Sequence, residues 1–487
     1  MKVLEGLQPK NVFEFFETIT TIPHGSKHTK AISDYCVSIA KEHGLEYYQD
    51  SDNNLIIIKE ASKGYEQAKT VMLQGHLDMV TEKTSDSSHN FLTDSLPIGV
   101  DGDFIFSKDT TLGADNGIAV AYMLALLTDK EHIMPRIECV FTVDEEIGLL
   151  GADSIDLSPC KASYLINLDN EEDGVFITSC AGGIRIDLSL PIERKEVFQG
   201  MSSYQVKIFG LKGGHSGQEI GKERANAAKL MGRLLFDLQQ SGLLEYELSD
   251  FEGGLKDNAI PRECTAIITS NKEQAEVEQV IKGIFDIYKK EYAVSDEQID
   301  VMVTRCEDGK AVLTPSSKMK VLFFLNQLPN GVQHMDMSIE GLVETSLNLG
   351  ITSMEENVFH ANFSLRSSRE SRKIQLMNQL IFLVEFLGGD FTTSGDYPGW
   401  EYNPNSTLRP MMTDLWKEMF QTEAKVEAIH AGLECGLLYS KMPTLDIVSI
   451  GPTMYDIHTP QERLSISSTK KCYEFVLATL ERIAKEQ

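Results

Sequence analysis

The chain has 487 residues and a formal net charge of −28, with 42% hydrophobic and 8% aromatic residues. This apolar content is sufficient for a substantial buried core and argues against a disordered chain. The acidic excess would repel a phosphate backbone, so a nucleic-acid partner is not expected. The longest apolar run, residues 117–127, is shorter than the roughly 20 residues that span a bilayer, so no membrane association is expected either.

The cysteines and the amino terminus carry information about the cellular compartment. The eight cysteines form no CxxC pair and no regular framework, which is typical of a reduced protein. Residues 1–19 place acidic side chains among apolar ones, a pattern that indicates an amphipathic helix and not a signal peptide. We therefore expect a cytoplasmic protein.

Strand-like and helix-like segments alternate through the first 180 residues. A long apolar segment at 114–130 predicts a buried helix. The predicted strands are 54–59, 70–80, 137–143, 164–169 and 174–180. This alternation predicts an α/β domain with a mostly parallel central sheet flanked by helices.

The pattern changes from about residue 186, where the predicted strands become longer and more polar and the helices more charged. A weak internal repeat aligns 257–270 with 356–369, and a predicted helix and strand follow each copy. We interpret 186–404 as an inserted α+β domain with an internal duplication. The α/β pattern returns after 405, so 1–185 and 405–487 are predicted to form one discontinuous domain.

Acidic and histidine side chains stand at the ends of the predicted strands or at the start of the helix. These residues are His76, Asp78, Asp115, Glu145, Glu146, Asp169 and His458. Because ligands of open α/β sheets bind beyond the carboxyl ends of the strands, we expect these side chains to converge. Imidazole and carboxylate groups are the ligands that zinc takes, and a carboxylate that is not a ligand can accept a proton from water.

Each of these features also has an ordinary structural interpretation. A strand-end histidine such as His76 is often satisfied by a hydrogen bond, and the pair Glu145–Glu146 would usually be solvated. Asp115 could cap a helix, and His458 could lie in a turn. The joint occurrence of all the clusters at strand ends and a helix start favours a metal site.

The segments GHLDMV, GADNGIA and DEEIGLLGA, together with the late histidine, resemble the dinuclear zinc aminoacylase and dipeptidase superfamily. HAGLECG near residue 430 adds a resemblance to its bacterial aminoacyl-histidine dipeptidases. The resemblance implies a metallo-exopeptidase that hydrolyses short peptides, above all dipeptides with a C-terminal histidine. A tripeptidase, an N-acyl amino acid deacylase and a non-catalytic peptide-binding relative remain alternatives.

The same resemblance implies a role for each residue and two divalent metal ions, with zinc expected first and cobalt or manganese as alternatives. Asp115 would bridge both ions, and the peptide bond that follows it would be cis. The other implied metal ligands are His76 with Asp169 for one ion and Glu146 with His458 for the other. Glu145 would be the general base and later the proton donor, and Asp78 would orient the His76 imidazole.

The insertion resembles the lid domain of the same superfamily. In GLKGGHSGQ (210–218), the resemblance implies that His215 binds the oxygen of the tetrahedral intermediate, although a plain glycine turn would give the same pattern. Asn258 and Arg366 would hold substrate, with an exposed polar strand face as the alternative. Gly432 would line the substrate pocket with backbone groups. Small peptides are the expected partners, and a homodimer remains open.

Overall fold

The computed structural model describes residues 3–307 and 311–486. The chain divides into two compact units. The first unit comprises the chain up to Cys180, then Trp400–Ala428, and then the chain from Leu433 onward. The second unit comprises Ala181–Gly399 and Ile429–Gly432. The predicted boundaries at 185 and 405 stand near these limits, but they did not include the return segment 429–432 in the insertion.

The elements are numbered along the chain. The strands are β1 Glu46–Gln49, β2 Leu55–Lys59, β3 Val71–His76, β4 Ile98–Asp101, β5 Phe104–Ser107, β6 Ile137–Thr142, β7 Tyr164–Asn167, β8 Val175–Cys180, β9 Gly182–Pro191, β10 Arg194–Glu196, β11 Ser202–Phe209, β12 Gly214–His215, β13 Glu247–Gly253, β14 Ala259–Ile260, β15 Cys264–Ser270, β16 Asp300–Arg305, β17 Ala311–Leu313, β18 Gly331–Met335, β19 Val343–Met354, β20 Val358–Ser367, β21 Asp390–Tyr397, β22 Lys425–Ile429, β23 Asp446–Ser449, β24 Met454–Tyr455 and β25 Arg463–Ser465. The α-helices are α1 Lys10–Ile19, α2 Lys30–Glu42, α3 Ala114–Thr128, α4 Leu150–Ser154, α5 Ala227–Ser241, α6 Gln274–Glu291, α7 Pro315–Gln327, α8 Glu370–Phe386, α9 Leu408–Phe420, α10 Glu434–Lys441 and α11 Ile466–Lys485.

The first unit is built around an eight-stranded sheet in the order β1-β2-β6-β3-β7-β23-β8-β22. Its four central strands, β6, β3, β7 and β23, run parallel to one another. Neighbouring outer strands pair antiparallel, as between β1 and β2, β2 and β6, and β8 and β23. The predicted α/β domain with a parallel central sheet is therefore confirmed.

The central strands of this sheet are covered on both faces. Every residue of β3, β6 and β7 is buried, which explains why these strands are nearly continuous apolar runs without alternation. Residues 117–127 of α3 are buried too, so α3 is apolar all round its surface. Among the described residues, no helix combines the length and the apolar character that crossing a membrane requires.

The second unit contains an antiparallel sheet in the order β16-β11-β15-β13-β19-β20-β9-β21. Read from each edge inward, its two halves repeat one order, β16-β11-β15-β13 and β21-β9-β20-β19. When only the strands in this order and the α-helices are considered, each half runs strand, helix, two strands, helix, strand along the chain. These elements are β11, α5, β13, β15, α6 and β16 in one half, and β9, α7, β19, β20, α8 and β21 in the other. The first half is nested within the second, between β9 and α7.

The nested arrangement matches the weak repeat in the sequence. The aligned segments 257–270 and 356–369 contain β15 and β20, which hold equivalent places in the two halves. The halves join where β13 pairs with β19, at Gly253 and Thr352. Local signals set the helix ends, since the Asn226 side chain accepts hydrogen bonds from the Ala228 and Lys229 N–H groups and thereby caps α5.

Candidate active site

The carboxyl ends of the parallel strands in the first unit gather the predicted ligands at one edge of the sheet. His76 ends β3, Glu145 and Glu146 follow β6, and Asp169 follows β7. Asp115 lies in the first turn of α3. His458 follows β24, in the last part of the chain. Because β6, β3 and β7 are adjacent and parallel, their ends bring these side chains together.

The ligand atoms of these residues form overlapping groups within 4.8 Å of one another. The groups are His76 with Asp115 and Asp169, His76 with Glu145 and Glu146, and Asp115 with Glu146 and His458. The Nε2 atom of His76 lies 3.2 Å from Asp115 Oδ1 and 3.5 Å from Asp169 Oδ1. The Nε2 atom of His458 lies 3.0 Å from both Asp115 Oδ2 and Glu146 Oε1.

Asp115 thus presents one carboxylate oxygen to each histidine, the geometry that a shared ligand requires. The peptide bond between Asp115 and Asn116 is cis, as the family resemblance implied. The two groups around Asp115 contain only imidazole nitrogens and carboxylate oxygens, which are the donors that zinc and similar divalent cations take. The acidic side chains pair with imidazoles, so the residues present fit a cation-binding site.

Burial and hydrogen bonding at this site shift the pKa values of its members. Burial raises the pKa of Glu145 well above its ordinary value, and it raises the pKa of Asp169 to about 6. Burial alone would also raise the pKa of Asp115, but hydrogen bonds with His458 and His76 hold it well below its usual range. Hydrogen bonds to Asp115 and Glu146 raise the pKa of His458 to about 11. The neighbouring carboxylates favour the protonated form of the imidazoles. A bound divalent cation would replace these protons.

Asp78 acts on two neighbours through different atoms. Its backbone carbonyl lies 2.9 Å from His76 Nδ1, whereas its carboxylate oxygen Oδ1 is 3.5 Å from the same nitrogen. The carboxylate accepts hydrogen bonds from Ser26 Oγ at 2.8 Å, the Glu145 N–H at 3.0 Å and the Glu146 N–H at 3.4 Å. The carbonyl is therefore the nearer acceptor for the His76 imidazole, and the Asp78 carboxylate faces both that imidazole and the backbone of Glu145 and Glu146.

Two buried carboxylates near the site were not singled out from the sequence. Glu434, at the start of α10, accepts hydrogen bonds from Gln74 Nε2 and Thr142 Oγ1, and burial raises its pKa to about 7. Glu462 accepts hydrogen bonds from the backbone of the loop that precedes Asp115. Glu434 lies in the HAGLECG segment that carries part of the family resemblance, so the sequence offered a signal for it. No local pattern marks Glu462.

The second unit holds the other predicted residues. His215 ends β12, and its Nδ1 accepts hydrogen bonds from the Gly217 and Gln218 N–H groups. The Asn258 carbonyl accepts a hydrogen bond from the Ser216 N–H at 2.9 Å, so Asn258 holds the same turn through its backbone. Burial and the Arg366 charge lower the pKa of His215.

Arg366 lies on β20 and donates a hydrogen bond from one terminal nitrogen to Tyr397 Oη at 3.0 Å. Its Nε is buried, and none of the described residues forms a hydrogen bond with it. A Cβ atom at Gly432 would lie 2.8 Å from a ring carbon of Tyr397, so glycine is needed there for the tyrosine to pack closely. His430, to which the sequence assigned no role, bonds Ser346 Oγ through Nε2 at 2.7 Å, and burial lowers its pKa to about 3.

Comparisons with known proteins agree with this fold and site. The model of the peptidase dimerisation domain matches residues 199–296. The cytosol non-specific dipeptidase of Escherichia coli K12 is 36% identical over 484 residues, which is 99% of both chains. The crystal structure of aminoacylhistidine dipeptidase from Vibrio alginolyticus is 35% identical and covers 98% of both chains with a TM-score of 0.94. Aminopeptidase PepT from Bacillus cereus, at 14% identity and a TM-score of 0.56 over 98% of this chain and 100% of its own, shares the fold.

A parallel sheet with carboxylates and histidines gathered at its carboxyl edge defines an α/β protein suited to binding metal ions. Two relatives that match nearly the full length of the chain at 35–36% identity are dipeptidases, which shows that the chain is a hydrolase of the same family. The chain belongs to the M20 peptidase family.

Proposed function

We propose that this protein is a cytoplasmic metallodipeptidase that hydrolyses dipeptides with two bound divalent ions, zinc foremost. The observation that carries the proposal is the position of Asp115, whose two carboxylate oxygens lie 3.2 Å and 3.0 Å from the Nε2 atoms of two different histidines. A shared carboxylate between two imidazoles suits a pair of ions and has no evident use for a single one.

Asp115 would hold both ions, His76 and Asp169 one of them, and Glu146 and His458 the other. When bound, the ions would polarise the substrate carbonyl and lower the pKa of a water molecule. Glu145 would accept the proton of that water and return it to the leaving nitrogen. Burial favours such proton transfer, because it raises the pKa of Glu145 toward the range in which a carboxylate can both take and give a proton.

The second unit would recognise the substrate. The buried Nε of Arg366 has no hydrogen-bond partner within 3–307 and 311–486, and a guanidinium can donate two parallel hydrogen bonds to one carboxylate. We assign to Arg366 the free carboxylate of the dipeptide and to His215 the oxygen of the tetrahedral intermediate. Asn258 and Gly432 would support these roles, Asn258 through its backbone bond to Ser216 and Gly432 by leaving room for Tyr397.

A preference for C-terminal histidine is the narrower part of the proposal. Support for it comes from the likeness to the aminoacylhistidine dipeptidase, whereas the Escherichia coli relative is called non-specific. The two similarities are nearly equal, at 35% and 36% identity. A substrate panel is therefore needed to separate a narrow specificity from a broad one.

The test is a panel of Xaa-His dipeptides, other dipeptides, tripeptides and N-acyl amino acids. Each substrate is assayed with the protein as isolated, after chelation and dialysis, and after addition of zinc, manganese or cobalt. We expect dipeptide hydrolysis that is lost on chelation and restored by metal, and the loss of both ions in Asp115→Ala. Asp446→Asn serves as the control, because Asp446 lies at the amino end of β23, away from the carboxyl ends of the strands. This variant should retain the metal content of the parent.

Three results would overturn parts of this proposal. Full activity of the chelated and dialysed protein would exclude the metal-dependent mechanism. Faster turnover of tripeptides or N-acyl amino acids than of any dipeptide would replace the substrate class. Equal kcat/KM for Xaa-His and other dipeptides would remove the preference for histidine alone.

A further inference from the structure

Glu462 holds four successive backbone N–H groups with one buried carboxylate. Its Oε2 accepts from Leu112 at 2.7 Å and from Gly113 at 3.1 Å. Its Oε1 accepts from Ala114 at 2.8 Å and from Asp115 at 3.4 Å. Only 2% of Glu462 is exposed, so these bonds are shielded from water. The carboxylate thus grips the loop that leads directly into Asp115.

The loop is shaped to present its N–H groups to an anion. Gly113 has a φ of 68°, in the left-handed region, and successive N–H groups in such a turn form a concave site for negative charge. A Cβ atom at Gly113 would lie 2.8 Å from the Met79 sulfur, so a larger residue would require the Met79 side chain to move. The left-handed conformation therefore favours glycine here.

Glu462 is also tied to the second histidine of the metal site. It stands four positions after His458, and its N–H donates to the Thr459 carbonyl at 3.1 Å. One short segment thus carries a predicted metal ligand and the carboxylate that holds the backbone of the shared ligand. Movement of this segment would alter the spacing between His458 Nε2 and Asp115 Oδ2, which is 3.0 Å.

We infer that Glu462 is a positioning residue for the metal centre, and that it acts by fixing the backbone of Asp115. The inference rests on the proposed two-ion site. Because Asp115 faces both histidines, displacement of its backbone weakens both ion sites together. A change at Glu146, in contrast, would act on the His458 group. A carboxylate suits this position because each of its oxygens accepts two N–H groups, whereas a glutamine amide would turn its own donors toward two of them.

The experiment compares Glu462→Gln with a matched control, Glu138→Gln. Glu138 is also fully buried, and it accepts hydrogen bonds from the Lys161 and Ala162 N–H groups at 3.0–3.1 Å. It lies near the start of β6, at the end of the strand opposite to the metal ligands. Zinc affinity and stoichiometry are measured by competition with a chelating dye, and the thermal stability of both metal-free variants is measured alongside.

We expect Glu462→Gln to bind both zinc ions about 10- to 100-fold more weakly than the parent, the usual effect of removing a group that orients a ligand. Its KM at saturating zinc should stay near that of the parent, and added zinc should restore part of kcat. Glu138→Gln should lose thermal stability and keep its zinc affinity. If Glu462→Gln cannot be purified folded, Glu462→Asp, which keeps the charge on a shorter side chain, should show a smaller loss of affinity.

Parent-like zinc affinity in Glu462→Gln, or in Glu462→Asp where only that variant folds, would overturn the inference. An equal loss of affinity in Glu138→Gln would also overturn it, since buried carboxylates would then matter only for overall stability. If the parent itself bound no zinc, the two-ion proposal would fail instead. The two failures are therefore distinguishable.

Discussion

Asp78→Asn tests whether the Asp78 side chain positions the Glu145–Glu146 backbone. The variant keeps the carbonyl that faces His76, 2.9 Å from Nδ1, and removes the carboxylate charge. In the parent, the Glu145 N–H lies 3.0 Å from Asp78 Oδ1, and the amide oxygen of the variant can still accept this hydrogen bond when it takes the same position. The NH₂ group of the variant then takes the place of Oδ2, which lies 3.4 Å from the Glu146 N–H in the parent. The Ser26 hydroxyl can rotate to accept a hydrogen bond from this NH₂ group, but the Glu146 N–H cannot.

The expected loss of activity follows from the number of hydrogen bonds that the substitution removes. One hydrogen bond to a charged acceptor is lost, and such bonds contribute about 1.5–3 kcal/mol. At about 1.4 kcal/mol for each factor of ten, kcat/KM for a dipeptide at saturating metal should fall about 10- to 100-fold. The ion that His76 and Asp169 are proposed to hold should remain, because the Asp78 carbonyl still faces the imidazole.

The assay is steady-state hydrolysis of one good dipeptide substrate, with the metal content of each sample measured in parallel. Asp446→Asn is the control, since the Asp446 carboxylate accepts from the Thr407 and Leu408 N–H groups at 2.7 Å and 2.9 Å. It stands at the start of β23, away from the carboxyl ends of the strands. A kcat/KM for Asp78→Asn within twofold of the parent, or no lower than that of Asp446→Asn, would refute the reasoning.

Three further outcomes are expected. Glu145→Gln should keep its metal and lose about 10²–10⁴-fold in kcat, and loss of metal would instead make Glu145 a ligand. Arg366→Lys keeps the charge without the planar fork, so kcat/KM should fall strongly for dipeptides and much less for dipeptide amides; unchanged dipeptide kinetics would assign the carboxylate anchor to another residue. Burial lowers the Lys229 pKa from 10.5 to about 8. The folded state therefore releases this proton first, and the parent should gain about 3 kcal/mol of stability between about pH 8 and 10.5. Denaturant unfolding of Lys229→Met should lack that gain, and parallel pH profiles would contradict the burial effect.

The parts of the fold that sequence could predict are those with strong local signals. The apolar run predicted as a strand at 164–169 contains β7, which ends at Asn167, and Asp169 lies two residues beyond that end. The predicted helix at 114–130 contains α3, since a fully buried helix is apolar on every face. The position of the predicted ligands beyond the carboxyl ends of the strands then follows from the rule for open sheets.

The remaining features depend on backbone positions that no local pattern records. Whether Asp78 orients His76 through its carbonyl or its carboxylate is decided by how the chain turns after β3. Glu462 bonds to residues about 350 positions earlier in the chain, and its own surroundings resemble an ordinary charged turn. The return of 429–432 to the second unit also lacks a signal in composition.

The nesting of one half of the insertion within the other sets an order for folding during synthesis. The inner half, β11 to β16, is complete at Arg305, before α7 begins at Pro315. In contrast, β9 pairs Pro191 with Val358, so the outer half must wait until the inner one has been made. The eight-stranded sheet of the first unit is completed later still, because its strand β23 begins at Asp446.

Until β23 is synthesised, the edge of β7 that will pair with it, from Tyr164 to Asn167, has no partner strand. An unpaired edge of this kind is where nascent chains associate wrongly, so this interval is when a chaperone would be most useful. Chains that stop before Asp446 would keep this edge and lack His458. Loss of the chain from Asp446 onward should therefore cause aggregation, and it would also remove the proposed metal ligand His458.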